Sequence, residues 1–197
     1  MAKPRPVAGI QPKKGLRPNA RRVLAVRIQE IYAYDGAIAD PAHVTELHDM
    51  RIAFKRLRYL LEIFGVAFTE DLDPFLEQVK DLQDLLGDIH DCDVQVPMLE
   101  EHLEWLVDRE AEHAQALIAA AGARRRPTRS ANGSERAYRR FRGELQDALR
   151  GDERVGIHAL IARRRRERDE LYARFLEEWR RLKRERFRPR LEAALGL

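Results

Sequence analysis

Leu47-His-Asp-Met-Arg-Ile-Ala-Phe-Lys-Arg-Leu-Arg-Tyr-Leu-Leu-Glu-Ile-Phe64 is the stretch whose reading decides the fold. Placed on an α-helix at about 100° per residue, it separates into two stripes. Met50, Phe54, Leu57, Leu61 and Phe64 recur at the spacing of a core-facing face. His48, Arg51, Lys55 and Arg58 fall in a second arc whose centre lies about 120° away. The basic stripe therefore flanks the packed seam, where a groove between two helices would lie. It holds four basic groups and no acid, whereas a solvated helix face mixes signs because like charges at this spacing repel. From His48 to Arg58 the row runs about 15 Å at about 1.5 Å per residue, too long for one phosphate and suited to several in line.

The run His48-x-x-Arg51-x-x-x-Lys55-Arg56-x-Arg58-Tyr59, followed by Leu82-Gln-Asp-Leu-Leu-Gly87-Asp-Ile-His-Asp91-Cys-Asp-Val94, resembles the two signatures of the CHAD (conserved histidine α-helical domain) family. The resemblance is strong over roughly residues 20–110 and thinner beyond. It implies an all-α fold of long amphipathic helices, in two pseudo-repeated helical-bundle halves around a basic groove. It also implies a non-catalytic binder of inorganic polyphosphate, with His48, Arg51, Lys55, Arg56, Arg58 and Lys80 at the groove.

Composition agrees with long helices. Gly and Pro occupy 11 and 9 of 197 positions, and 36% of residues are charged. No run of 18 apolar residues is present, so no membrane span is expected. The N-terminus lacks the apolar core of a secretory signal. Cys92 is the only cysteine, which favours a reducing, cytoplasmic setting; the resemblance implies polyphosphate granules as a place of association. The net charge of +4 conceals a polar distribution: sixteen acids face only Lys80 and Arg109 between Glu62 and His113, and a basic tail follows.

Residues 1–18 read as a flexible basic arm, because prolines stand at 4, 6, 12 and 18. The remaining 19–197 read as one domain, with a first half to about 121, a linker over 122–134 and a second half from about 135. Asn19 is expected to cap the first helix. Gly65 is expected to stop the second, and Asp73-Pro74 to open the third. Phe75, Val79, Leu82, Leu86 and Ile89 form the buried stripe of that third helix. Asp91 and Asp93 are expected to cap a further helix opened by Pro97, with Leu99, Leu103, Leu106, Leu117 and Ile118 in its core. Gly87 admits another backbone or a kink. A helix is expected from about Ser134 to Arg150, with Tyr138, Phe141, Leu145 and Leu149 along one side.

Ile157 to Phe187 reads as the longest helix and as an imperfect copy of the opening stretch. Aligning Ile157-His158 with Leu47-His48 sets Arg165 on Lys55 and Arg168 on Arg58, while Ile161 stands where Arg51 would be. His158, Arg164, Arg165 and Arg168 are therefore candidate polyphosphate contacts from the second half. The expected apolar stripe is Ile157, Leu160, Leu171, Phe175, Trp179 and Leu182, which Arg164 interrupts.

Two other functions fit parts of the pattern. An HD-type metal-dependent phosphohydrolase would draft His43 or His48, His90-Asp91 and Asp108 as ligands. The cationic neighbours of His48 oppose a metal there, and no metal or other cofactor is expected. His102, His113 and Cys92 read as surface or capping groups. Single-stranded nucleic acid is the other alternative, since a basic groove attracts any phosphate backbone. Such binders interleave aromatics for base stacking, and only Tyr59 and Tyr172 stand near the stripes.

Overall fold

A computed structural model describes residues 3–123, 139–146 and 151–197 of the chain. The described residues are helical or irregular, without strands. The helices are α1 (Leu16–Tyr32), α2 (Val44–Phe64), α3 (Asp73–Ala123), α4 (139–146), α5 (Asp152–Arg184) and α6 (Phe187–Leu195). Short 3₁₀ turns at Ala37–Ala39 and Gly65–Ala67 flank α2. None of the helices is long and apolar enough to cross a membrane.

Two compact units share the long helices. One comprises the chain up to Asp93 together with Arg166–Leu197, and the other Val94–Arg165. Each of the halves expected from sequence contributes to both units.

The first unit holds the main core. Leu24, Ile28 and Ile31 of α1 meet Met50, Phe54, Leu57 and Leu61 of α2 and Val79, Leu82, Leu86 and Ile89 of α3. Phe175 and Trp179 of α5 and Leu191 of α6 complete it. Trp179 is the largest side chain fully enclosed. Its ring meets Phe54 edge-on at 6.0 Å, and its indole N–H donates to Asp35 at 2.7 Å. Lys183 pairs with the same carboxylate at 2.6 Å, and the Tyr172 hydroxyl donates to the Ile38 carbonyl at 2.9 Å. Together these bonds fix α5 to the turn that leads into α2, so the buried polar tips find partners while the rings fill the core.

Several expectations change. Asn19 does not cap α1, which begins three residues earlier behind Gly15. Its side-chain amide instead accepts from the Gln11 N–H at 2.9 Å and donates back to the Gln11 carbonyl at 2.9 Å. The arm before α1 has no regular structure among its described residues. Arg27 ties it down by donating to the Arg5 carbonyl at 3.2 Å and pairing with Glu30, to which the Arg5 N–H also donates. That pair is buried, so its mutual bonding offsets the desolvation of both charges.

Pro97 opens no new helix, because α3 continues through it to 51 residues and exceeds α5, at 33, in length. Proline removes the bond that residue 97 would make to the Asp93 carbonyl. The boundary between the two units falls there, after Asp93. Cys92 lies in the core rather than at the surface, and Ile118 is exposed rather than packed. Linker residues from 124 onward lie outside the described residues, as do Tyr138 and Leu149 of the helix expected next.

Replacing Trp179 by Ala should lower unfolding free energy by about 3–5 kcal/mol, since a large ring is deleted from an enclosed site. Urea denaturation measures this; a loss below about 1 kcal/mol would contradict the central place given to Trp179.

Candidate functional site

The first unit positions the basic row of α2. Leu47, Met50, Ala53, Phe54, Leu57 and Leu61 are buried and set the rotation of the helix. His48, Arg51 and Arg58 are then half-buried at the edge of the core, and Lys55 is exposed. The opposite side of this flank is α3. His48 Nδ1 lies 3.3 Å from His90 Nδ1, and Lys80 Nζ lies 3.9 Å from the Glu62 carboxylate. Arg51 Nε would be 3.9 Å from a Cβ on Gly87. Residue numbers rise on one helix as they fall on the other, so α2 and α3 run antiparallel along the row.

Lys80, Gln83, Gly87 and His90 repeat on α3 the offsets of His48, Arg51, Lys55 and Arg58 on α2, and all four are half-buried. Of this second row sequence reasoning placed only Lys80 at the groove. His90 entered only as a metal-ligand alternative, although the shared offsets of 0, 3, 7 and 10 were present to be matched. Gly87 admits the Arg51 side chain rather than another backbone. The Gln83 amide oxygen is buried without a hydrogen-bond partner, a costly state for a neutral acceptor.

The cations of the row differ in their engagement. Arg58 donates through Nε to Glu62 at 3.1 Å, and Lys80 reaches the same oxygen, so one carboxylate serves two cations at this end. Tyr59 lies between neighbours, with Lys55 Nζ 5.8 Å and Arg58 Cζ 6.0 Å from its ring centroid. Among the described residues neither Arg51 nor Lys55 has a carboxylate within 4 Å. At the other end burial pushes the His48 pKa down, and the charges of His90 and Arg51 push the same way against that of Asp49. The imidazole is therefore held neutral to lower pH than an exposed one.

Arg56 is not part of the row. It lies on the opposite edge of α2, about 120° from the core centre on the other side. Its charge lowers the pKa of Tyr34, which burial raises, with Asp49 and Glu30 adding to the rise. Arg168 is a strut of the first unit. It donates to Asp93 at 2.9 Å and to the Pro41 carbonyl at 2.7 Å, with little of either charged side chain exposed.

The remaining candidates belong to the second unit. Arg165 pairs with Glu100, half-buried Arg164 lines a hollow beside Leu160, and exposed His158 lines another beside Asp108. The copied stripe does not bury as the first does. Positions matching Met50, Ala53, Phe54 and Leu57 are Leu160, Arg163, Arg164 and Glu167, none of them buried, while Ile161 is. Of the groups drafted for a metal site, His48 and His90 do meet, but without a third ligand among the described residues. His43 bonds the Ala37 carbonyl at 2.8 Å, and no group of three or more His, Cys, Asp or Glu suited to a metal occurs among the described residues.

A family model, the CHAD domain, matches residues 2–100, half of the chain and all of the α2–α3 row. The chain belongs to the CHAD family. Residues 101–197, which carry His158, Arg164, Arg165 and Arg168, lie beyond the matched range of this CHAD protein. No curated protein and no solved structure gives a match.

Two outcomes test this geometry. Gly87→Ala should stabilise the fold by about 0.5–1 kcal/mol, because helix propensity rises and the new methyl makes only an ordinary contact with Arg51. A loss on denaturation would mean that the α2–α3 approach is closer than described. For His48, a folded pKa below its unfolded value of 6.5 leaves stability intact above that value and lost as pH falls through the folded one. His48→Asn, which takes up no proton, should flatten the fall in melting temperature between neutral and mildly acidic pH, and an unchanged acid limb would refute the assignment.

Proposed function

We propose that this CHAD protein binds inorganic polyphosphate, without chemical turnover, along the flank between α2 and α3. The observation that carries the reading is the pair Arg51–Lys55, two adjacent cations without a carboxylate partner among the described residues, set in a row of fixed rotation. Like charges so placed repel, and a chain of phosphates lying along them turns the repulsion into attraction. Arg51 supplies a planar fork of donors, Lys55 a point charge, and the Arg58–Lys80 pair can exchange Glu62 for phosphate oxygens. At the other end His48 and His90 share one hydrogen bond, and an arriving anion favours the protonated form of His48, so binding takes up a proton there.

The pseudo-repeat and a basic groove belong to the same proposal, with His158, Arg164 and Arg165 as candidate contacts of the second unit taken by itself. Arg168 and Arg56 enter it as neighbours that hold the frame. Binding needs no cofactor, and association with polyphosphate granules would follow from it. Nucleic acid remains the competing polyanion, but Tyr59 is already held beside Lys55 and Arg58 and is the one exposed aromatic on the row. Stacking of successive bases has little to work with there.

The test is the double replacement Arg51→Glu, Lys55→Glu. It should weaken polyphosphate binding by at least about a hundredfold, as expected for two charge-assisted contacts of about 1.5 kcal/mol or more each, and leave helix content unchanged. Retained affinity in a calorimetric titration would refute the site. In competition at two salt concentrations, polyphosphate should displace single-stranded RNA; the reverse order would favour the nucleic-acid reading.

A further inference from the structure

The unit formed by Val94–Arg165 buries little apolar surface of its own. Among its described residues Leu106 of α3 and Ile161 of α5 are the only buried hydrophobic side chains. By contrast Val94, Met98 and Trp105 are 44, 62 and 49% exposed. At about 100° per residue these three lie within about 40° of one another on α3, centred about 100° from Leu106. They form an apolar ridge beside the packed α3–α5 seam rather than scattered single residues.

A hollow of about 640 Å³ opens next to the ridge. Met98, Leu99 and Trp105 form its α3 side, and Leu160 and Arg164 its α5 side. The Trp105 indole is held in place. His102 stacks on it at 5.4 Å with planes 19° apart, and the Arg109 guanidinium lies 5.0 Å from its centroid. A fixed, half-exposed Trp beside a flexible Met and a groove is the chemistry of an anchor for a partner helix.

We propose that this face is a self-association surface, on which a second copy of the chain seats its own Val94–Met98–Trp105 ridge by helix-on-helix packing. Charge selects that occupant. Residues 94–112 carry six acids and one arginine, whereas 155–166 carry four arginines and no acid. Glu100 and Glu110 pair within the chain with Arg165 and Arg154, whereas Glu101, Glu104, Asp108 and Glu112 on α3 and Arg163 and Arg166 on α5 make no ion pair among the described residues. A two-fold arrangement lays the α3 of each copy against the α5 of the other, which satisfies both at once. Helical segments of about 28 Å on α3 and about 18 Å on α5, each about 10 Å wide, offer roughly 460 Å² per partner, the size of a weak, concentration-dependent dimer. The chain's own residues 122–137 hold no large apolar side chain to fill the hollow, and Phe141 and Leu145 of α4 are not among its lining residues.

Light scattering on the full chain, without polyphosphate, from low to high micromolar concentration, tests this. A dimer should appear as concentration rises, with a blue shift of Trp105 emission against a constant background from enclosed Trp179. Met98→Glu and Trp105→Glu should each weaken the dimer at least about tenfold while helix content stays at the wild-type value. Should Trp105→Glu lose helix, Met98→Glu, at the more exposed position, decides alone. A chain that stays monomeric throughout overturns the proposal, as does a dimer that survives Met98→Glu. So does a Trp105 already shielded from acrylamide at the lowest concentration, which would place another segment of the same chain in the hollow.

Discussion

The seating of the α2 apolar stripe against α3 is the constraint on which the rest depends. Met50, Phe54, Leu57 and Leu61 are enclosed together with Val79, Leu82, Leu86 and Ile89, and a helix so engaged cannot rotate without exposing several large side chains. That lock decides where every other residue of α2 points. It sets His48, Arg51, Lys55 and Arg58 on the edge of the core, with their aliphatic stems partly covered and their charged ends outward. Rotation by one residue would move the row into the core or into open solvent.

The row then has the electrostatics of an unfinished site. Repulsion among neighbouring cations is tolerable at an exposed edge, and the protein eases it at one end only, where Glu62 serves both Arg58 and Lys80. Further along, Gly87 makes room for Arg51, and His48, its pKa lowered by burial, lies against His90. Each of these arrangements leaves capacity for negative charge from outside. The contrast with the arginines of α5 is instructive. Arg168 stands in sequence as a counterpart to Arg58, yet it is consumed by Asp93 and the Pro41 carbonyl inside the first unit.

Much of the first unit was legible in the sequence because one period governs it. The stripe of α2 and the stripe of α3 from Phe75 to Ile89 follow helical spacing without interruption, and all but Phe64 at the end of α2 are buried. What escaped depends on partners distant in the chain. Nothing local to His90 says that His48 will lie against it, and nothing local to Arg168 says that Asp93 will hold it. Pro97 was misread because a proline is a helix-starter by propensity, while α3 runs on through it at the loss of one backbone bond. Asn19 was misread because its amide bonds the arm, a choice no cap rule contains. In the second unit the sequence repeat suggested a second copy of the row, but burial there centres on Leu106 and Ile161, so similarity of charge pattern did not bring similarity of packing.

The central claim is that the cations of α2 form a line that an extended polyanion follows. The most direct measurement is the melting temperature of the full chain with phosphate oligomers of graded length at equal total phosphate, because a ligand that binds the folded state raises that temperature in proportion to its affinity. The account predicts no effect from orthophosphate, then a rise with length that levels off once the oligomer spans the row of about 15 Å. An equal shift from orthophosphate and from long chains, or no shift at any length, would contradict it.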